Sequence, residues 1–154
     1  AMTGWRLGYA IAAPDITAAI CKVHDFLTIG APTPLQEAAV TALNFPDEYY
    51  TQLQTEYAHR REIFLNYLDR AGLNYTRPQG AYYVMVDISP FGCNNDTEFC
   101  YWLTKEIGVA AVPGGSFYPL NPDGHPPLTN MMRLHFAKSE DVLLDAGERL
   151  LKLR

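Results

Sequence analysis

Two arginines stand in sequence settings where a guanidinium could bind an anion. Arg6 lies between two glycines in the segment 3–9, and Arg133 lies in the largely apolar segment 131–137. A planar guanidinium grips a phosphate or a carboxylate through paired, charge-assisted hydrogen bonds, and flanking glycines let other groups approach closely. Each arginine also has an ordinary interpretation, in which Arg6 holds its head in water and Arg133 pairs with a surface glutamate.

The other residue types that carry chemistry show no recognisable spacing. The sequence has no Gly-x-x-x-x-Gly-Lys, Gly-x-Ser-x-Gly or His-Glu-x-x-His motif, and we expect no metal site. The three cysteines lack Cys-x-x-Cys spacing, which favours reduced thiols in a cytoplasmic protein. Three lysines lie in helical segments and the fourth at a strand-to-helix turn: Lys22, Lys105, Lys152 and Lys138.

Composition and charge argue against several classes of partner. The 154 residues are 48% hydrophobic and 19% charged, with a net charge of −5. Nucleic acids and anionic membranes favour clustered Lys and Arg, so we expect neither as a partner. No uninterrupted apolar run approaches the ~20 residues of a membrane-spanning helix.

The elements around Arg6 are predicted as one strand and two helices. Bulky side chains alternate with small or charged ones over residues 5–12, which is typical of a strand. A helix follows from Pro14, and the break at residues 30–32 ends it. Residues 33–36 form a capping box, with Thr33 as the cap of a second helix. Because that helix is apolar almost all round, we expect it to be buried between layers.

The elements around Arg133 are predicted as a long helix followed by short strands. The helix runs from Asp47 to Ala71, with Gly72 as its C-terminal cap. The predicted strands cover residues 81–88, 109–112 and 131–137. Two further helices are expected, one capped by Asp96 and the last one by Ser139.

The last strand separates its side chains between two faces. Met132, Leu134 and Phe136 take the core face, so the strand period places Arg133 and His135 together on the other face. We interpret His135 as an ordinary strand histidine.

Four segments together resemble the C-terminal part of the pyridoxal 5'-phosphate (PLP)-dependent aminotransferases of class I/II, fold type I, the family that includes aspartate aminotransferase. The segments are Gly-Trp-Arg-Leu-Gly within residues 2–13, Ala-Pro-Thr-Pro-Leu-Gln at 31–36, Pro-Gln-Gly-Ala-Tyr-Tyr at 78–83, and Val-Pro-Gly-Gly-Ser-Phe at 112–117 with Arg-Leu-His-Phe-Ala at 133–137. They occur in the family's order over essentially the whole chain.

The resemblance implies roles for three residues. Arg6 would hold the phosphate of the cofactor, Arg133 would bind the α-carboxylate of the substrate, and Tyr82 would lie near the substrate entrance. The alternative for Tyr82, and for Tyr83 beside it, is packing within the sheet. In the loop that resembles the family's Pro-Gly-x-x-Phe-Gly turn, Tyr118 replaces the second glycine, which leaves the role of that loop open.

The resemblance also implies where the covalent chemistry belongs. It places the family's Schiff-base lysine upstream of residue 1, and none of the four lysines has the flanking residues expected of it. We therefore expect no catalytic residue within this chain, and an isolated fragment that is inactive.

Pattern and resemblance together predict an α/β fold. Residues 46–154 are expected to form the small C-terminal aminotransferase domain, an α+β-like two-layer arrangement with helices on one face of a small, mainly antiparallel sheet. Residues 1–45 are expected to be the C-terminal tail of the large PLP-binding domain, a strand and two helices. The lone strand would have an unpaired edge, so we expect the isolated chain to self-associate.

The function implied for the parent protein is amino acid metabolism by transfer of an amino group between an amino acid and a 2-oxo acid, in a homodimer. Two alternatives stay open. One is a PLP-dependent carbon–sulfur lyase of the same fold family, which would use the same anchoring residues. The other is a non-enzymatic truncated domain. The sequence does not predict which amino acid is the donor.

Overall fold

The computed structural model describes residues 2–93 and 95–153, which form two compact units. The division falls between Tyr50 and Thr51. It lies inside the long helix α3, Asp47–Arg70.

The first unit contains two helices and a short turn. Helix α1 spans Pro14–Leu27 and helix α2 spans Thr33–Leu43, both as predicted, and a 3-10 turn covers Thr3–Trp5. Pro14 suits the first turn of α1, because a first-turn N–H has no partner within the helix and the proline ring fixes a helical φ.

The strand predicted over residues 5–12 is not formed. Residues 7–13 have no regular secondary structure. A strand is held by hydrogen bonds to a neighbouring strand, and no described residue of the first unit belongs to one. The edge that was expected to drive self-association is therefore missing from this structure, and self-association itself stays a prediction.

The prediction of a capping box over residues 33–36 is also wrong. Pro32 occupies the cap position of α2, so Thr33 already lies inside the helix and makes no capping hydrogen bond. Instead, the Gln36 side-chain amide donates to the carbonyl of Ala31 at 2.7 Å. Helix α2 was expected to be buried between layers, but none of its residues is buried.

The second unit contains a four-stranded antiparallel sheet in the order β1-β2-β4-β3. Its strands are β1 Asn74–Tyr75, β2 Tyr83–Asp87, β3 Val112–Pro113 and β4 Met131–His135. Strands β2 and β4 lie within the predicted ranges 81–88 and 131–137. Strand β3 begins at Val112, the last residue of the predicted range 109–112.

Three helices complete the second unit. The C-terminal part of α3 ends as predicted before Gly72, whose φ of 72° is a left-handed conformation that glycine adopts without strain. Helix α4, Asp96–Trp102, continues into a π-helical turn, Leu103–Ile107, and helix α5 spans Glu140–Leu150.

The helices and the sheet share one hydrophobic core. It contains side chains from β2, β4, α3, α4 and α5, including Val84, Val86, Met132, Leu134, Phe64, Leu65, Leu68, Phe99, Leu103, Leu143 and Leu150. One face of the sheet is thus covered by helices, and the other face is left for partly exposed side chains. This confirms the predicted α/β fold with a small antiparallel sheet. Within the two described ranges, no helix combines the length and apolar character needed to cross a membrane.

Candidate functional site

Arg133 stands near the middle of the sheet, on the face away from the core. Its neighbours Met132 and Leu134 are buried, so the two-residue period of the strand turns Arg133 to the opposite side. Strand β4 lies between β2 and β3, and Arg133 is paired with Met85 on one side and Val112 on the other. The sequence prediction for this strand is confirmed.

Two aromatic rings hold the head of Arg133. Its guanidinium carbon lies 4.1 Å from the centre of the Tyr83 ring and 4.4 Å from that of Phe117. Tyr83 pairs with His135, so it is the diagonal neighbour of Arg133 on the same face of the sheet. Cation–π contacts of this kind attract the guanidinium to the ring faces.

Among the described residues, none accepts a hydrogen bond from the N–H groups of the Arg133 side chain. Among residues 2–93 and 95–153, no carboxylate forms an ion pair with Arg133 and no oxygen accepts a hydrogen bond from its side chain. The pairing with a surface glutamate, the ordinary interpretation of Arg133, is not observed. A half-buried guanidinium whose donors no described residue uses has the chemistry needed to bind an anion.

Tyr82 lies beside this site without contacting Arg133 in the way Tyr83 does. Its half-buried ring stacks on Tyr57 of α3, with centroids 6.0 Å apart, and touches the Tyr83 ring at 4.5 Å. The hydroxyls of Tyr82 and Tyr83 are 3.5 Å apart, and the hydrogen bond they share raises the pKa of Tyr82 because ionisation would remove the proton that Tyr82 shares with Tyr83. Packing and proximity to the site therefore both apply to Tyr82, while the direct aromatic contact is made by Tyr83.

The segment before β2 is fixed at both ends. The Arg61 guanidinium donates to the carbonyl of Pro78 at 3.1 Å, and the Phe136 N–H donates to the carbonyl of Tyr82 at 3.0 Å. Between them, Ala81 has a φ of 57°, a left-handed conformation that is unusual for a residue with a Cβ. These contacts set where the two tyrosines enter the sheet.

Asp96 was predicted as the cap of α4, and the structure assigns that role to Asn95 instead. The Asn95 side-chain oxygen accepts a hydrogen bond from the Glu98 N–H at 3.1 Å. Asp96 is the first residue inside the helix and is fully buried. Its carboxylate oxygen Oδ2 accepts hydrogen bonds from the Gly115 N–H at 2.7 Å and from the Thr129 hydroxyl at 2.5 Å. Sequence reasoning named Asp96 as a cap and missed this buried role, because both hydrogen-bond partners are distant in the chain.

Hydrogen bonds keep the buried Asp96 ionised. Burial by itself would raise the pKa of this carboxyl, but the hydrogen bonds from Thr129 and from the backbone N–H groups of Gly115 and Thr97 outweigh it, so the pKa lies below its usual value. Asp96 is thus a fixed negative charge within the fold.

The turn that carries Phe117 is packed too tightly for any residue but glycine at its start. The turn spans Gly114–Phe117, and a Cβ on Gly115 would lie 2.0 Å from the carbonyl oxygen of Pro127. Tyr118, which departs from the family's glycine, follows in an ordinary extended conformation with φ −113°, so no glycine is required there.

Arg6, in the first unit, is placed differently from the sequence prediction. It lies on no strand, and it follows the 3-10 turn in a left-handed conformation with φ 53°. The side chain is exposed, and its guanidinium makes one long hydrogen bond, at 3.5 Å, to the carbonyl of Thr3. The positions of Gly4 and Gly8 have open space around them.

His135 shares the face of Arg133 as predicted. Partial desolvation and the positive charges of Lys138 and Arg133 lower the pKa of this histidine, so it is neutral near pH 7. No cluster of three or more potential metal ligands occurs among the described residues.

The whole chain matches a known protein family. The sequence profile described as "Aminotransferase class I and II" matches residues 1–150. The chain is 41% identical over 152 residues to the methionine aminotransferase of Escherichia coli (strain K12), covering 99% of this chain and 38% of that protein. It is 33% identical over 172 residues to the kynurenine–oxoglutarate transaminase of Dictyostelium discoideum, covering 99% of this chain and 39% of that protein.

Solved structures give the same result. An Escherichia coli protein whose structure identified a methionine aminotransferase function matches with a TM-score of 0.82 and 40% identity, over 98% of this chain and 38% of that one. The N-succinyldiaminopimelate aminotransferase of Mycobacterium tuberculosis matches with a TM-score of 0.87 and 28% identity, over 99% of this chain and 39% of that one.

The chain therefore belongs to the class I and II aminotransferases, a family that is generally PLP-dependent. It spans about two-fifths of the length of the relatives it matches.

Proposed function

We propose that the parent protein transfers an amino group between an amino acid and a 2-oxo acid with PLP as cofactor, and that this chain supplies anchoring groups for that reaction. The observation that carries the proposal is the half-buried guanidinium of Arg133 in a chain of the aminotransferase family. Two rings hold this guanidinium, and no described residue accepts a hydrogen bond from it.

Arg133 is proposed to bind the α-carboxylate that every amino acid and 2-oxo acid substrate carries. The guanidinium offers two parallel N–H donors that match the two oxygens of a carboxylate. Contact with the Tyr83 and Phe117 rings limits the head to few positions and keeps water from part of it. Both effects strengthen the pairing and hold the reacting carbon of the substrate in a defined place.

Arg6 is proposed to bind the phosphate of the cofactor. The residue fits that task, because no described carboxylate pairs with its guanidinium and its one hydrogen bond, to its own turn, is long. The open space at Gly4 and Gly8 leaves room for an anion beside the backbone. When bound, PLP supplies the electron-withdrawing ring on which transamination depends.

The remaining parts of the proposal concern the parent protein. Residues 1–45 are assigned to the large PLP-binding domain and residues 46–154 to the small domain. The Schiff-base lysine and the other groups that contact the cofactor ring are proposed to come from parts of the parent protein other than this chain. Tyr82, next to Tyr83, is assigned to the substrate entrance. The parent is proposed to act as a homodimer in the cytoplasm.

The test uses the full-length parent protein with PLP, L-methionine as amino donor and 2-oxoglutarate as acceptor. L-methionine is chosen because the Escherichia coli relative is a methionine aminotransferase. We expect amino transfer, and a rise of about 100-fold in KM for both substrates in the Arg133→Leu variant, since the loss of a charged, bidentate partner costs ~2–3 kcal/mol.

Arg70→Leu is the matched control. Arg70 also lies over a tyrosine ring, at 4.7 Å from the centre of Tyr67, but on helix α3. Its substitution should leave both KM values unchanged. Release of a thiol without any acceptor would favour the carbon–sulfur lyase. Absence of transfer from L-methionine, L-kynurenine and L-aspartate would overturn the proposed function.

A further inference from the structure

We propose that Asp96 is a positioning residue for substrate binding, which holds Phe117 against the Arg133 guanidinium by fixing the Gly114–Phe117 turn to the segment that leads into β4. The inference rests on the proposed function, in which Arg133 binds the substrate carboxylate. No assignment of Asp96 follows from its place in the sequence, where it resembles a helix cap.

Asp96 joins three segments that are far apart in the chain. It begins α4, its Oδ2 atom accepts from Gly115 in the turn after β3, and the same atom accepts from the hydroxyl of Thr129, two residues before β4. Its own N–H donates to the carbonyl of Thr129 at 3.1 Å. One buried carboxylate therefore fixes the turn and the start of β4 relative to each other.

The two sides of the Arg133 site lead directly from these anchor points. Phe117 lies two residues after Gly115, and Arg133 lies four residues after Thr129. The ring of Phe117 and the guanidinium carbon of Arg133 are 4.4 Å apart. Displacement of the turn would therefore move one of the two rings that hold the guanidinium, while Tyr83, on β2, would stay in place.

The turn is also packed tightly against neighbouring residues. A Cβ on Gly114 would be 2.6 Å from the carbonyl oxygen of Met131, and one on Gly115 would be 3.3 Å from Oδ2 of Asp96. Backbone of the turn thus packs against the start of β4 itself. The carboxylate supplies the acceptor that the Gly115 N–H needs in this buried position.

The role of a simple helix cap is already filled. Asn95 caps α4 with its side chain, so the helix does not need the carboxylate of Asp96 for its first turn. Within the helix, Oδ1 of Asp96 accepts one long hydrogen bond, from the Thr97 hydroxyl at 3.4 Å, whereas the two shorter ones, to Oδ2, come from the turn and from Thr129. This is why we infer a positioning role and not only a structural one.

The experiment is a double-mutant cycle in the full-length parent protein with L-methionine and 2-oxoglutarate. Asp96→Asn and Phe117→Leu are each expected to raise both KM values about fivefold, with kcat changed less than about twofold. If Asp96 acts through Phe117, the double variant will show about the same KM as either single variant, because each single change already removes the contact between Phe117 and Arg133.

Asp87→Asn is the matched control. The Asp87 carboxylate likewise accepts a backbone N–H, that of Ser89 at 2.9 Å, and a side-chain donor, Asn130 at 2.9 Å. It ties the segment before β4 to β2 instead of to the Phe117 turn. Its substitution should leave both KM values at the wild-type level.

Thr129 keeps the test valid if Asp96→Asn does not fold. Thr129→Val removes one of the two donors to Oδ2 of Asp96 and should raise KM, whereas Thr129→Ser keeps the hydroxyl and should keep KM at the wild-type level. Unchanged KM in the Asp96 and Thr129→Val variants, independent effects in the double variant, or an equal loss in Asp87→Asn would overturn the inference. Failure of the proposed function is separate, since the wild-type protein would then show no transfer or no dependence on Arg133.

Discussion

The two units of the chain differ in what holds their residues in place. In the first unit, residues 2–50 form two helices, include no buried residue, and expose apolar side chains along α1 such as Ile16 and Ile20. The second unit buries side chains from three helices and a sheet in one core. Secondary structure can thus form from local signals alone, while a defined binding site needs the packed core beneath it.

The same difference separates the two arginines. Arg133 is paired on both sides in a sheet and held by two rings. Arg6 is exposed in a segment without regular structure after its turn, with one long hydrogen bond to Thr3. If both bind anions in the parent, Arg133 is preorganised by this chain, whereas Arg6 depends on other parts of the parent for its position.

The largest expected difference between the units is the loss in free energy of unfolding when a leucine is replaced by alanine. Leu68 in α3 is 0% exposed, and Leu27 in α1 is 75% exposed. Leu68→Ala should destabilise the chain by about 3 kcal/mol, because it leaves a cavity in the core, while Leu27→Ala should change the free energy of unfolding by less than ~0.5 kcal/mol. Chemical denaturation of the 154-residue chain measures both, and equal effects would contradict the comparison.

A second difference concerns glycine. Gly115→Ala would place a Cβ 2.0 Å from the Pro127 carbonyl oxygen, whereas Gly30→Ala in the first unit meets open space. We expect a loss of about 2 kcal/mol for Gly115→Ala, from overpacking, and almost none for Gly30→Ala. Thermal unfolding of the two variants provides the measurement. A stable Gly115→Ala chain would show that the turn can move without cost.

Local rules predicted the parts of the fold that depend on neighbours in sequence. Pro14 at the start of α1, Gly72 after α3, and the alternation that separates Arg133 from Met132 and Leu134 were all readable in this way. Each of these depends on backbone conformation within a few residues. That is why Arg133 and the face it occupies could be predicted from the sequence.

The parts that failed depend on partners elsewhere. The strand over residues 5–12 needs a neighbouring strand, and none occurs among residues 2–50 of the first unit. The contact of Tyr83 with Arg133 follows from the register of β2 and β4, and a local sequence pattern does not predict that register. Asp96 resembled a cap because its partners, Gly115 and Thr129, come close only in the folded chain.

The buried charge in the second unit predicts a pH dependence. Because the pKa of Asp96 is lowered in the folded state, its stabilising contribution is fully present above the unfolded-state value, about 3.9, and is lost as the pH falls through the lower folded-state pKa. Asp96→Asn should cost about 2 kcal/mol at pH 7, since it weakens two hydrogen bonds to a charge. The gap between wild type and variant should narrow as the pH falls below about 4.

Urea denaturation at pH 7 and at pH 3 checks that dependence. The exposed carboxylate Asp25, in α1, supplies the control in the other unit. Asp25→Asn should change the free energy of unfolding by less than ~0.5 kcal/mol at either pH. A gap for Asp96→Asn that stays constant between the two pH values would contradict the assignment of a buried, ionised carboxylate.

The smallest expected effect tests what the exposed face of α1 does in the chain by itself. Because the described part of the first unit has no edge strand, self-association is expected to depend on the apolar residues of α1, among which Ile20 is 44% exposed. Val142 in α5 of the second unit is also 44% exposed. Ile20→Glu should weaken self-association about fivefold, because it places a charge among the apolar side chains that must be buried, whereas Val142→Glu should leave it unchanged. Light scattering over a concentration series measures this. A chain that remains monomeric at all concentrations would contradict the expected self-association, and equal effects of the two variants would show that the two units do not differ in this respect.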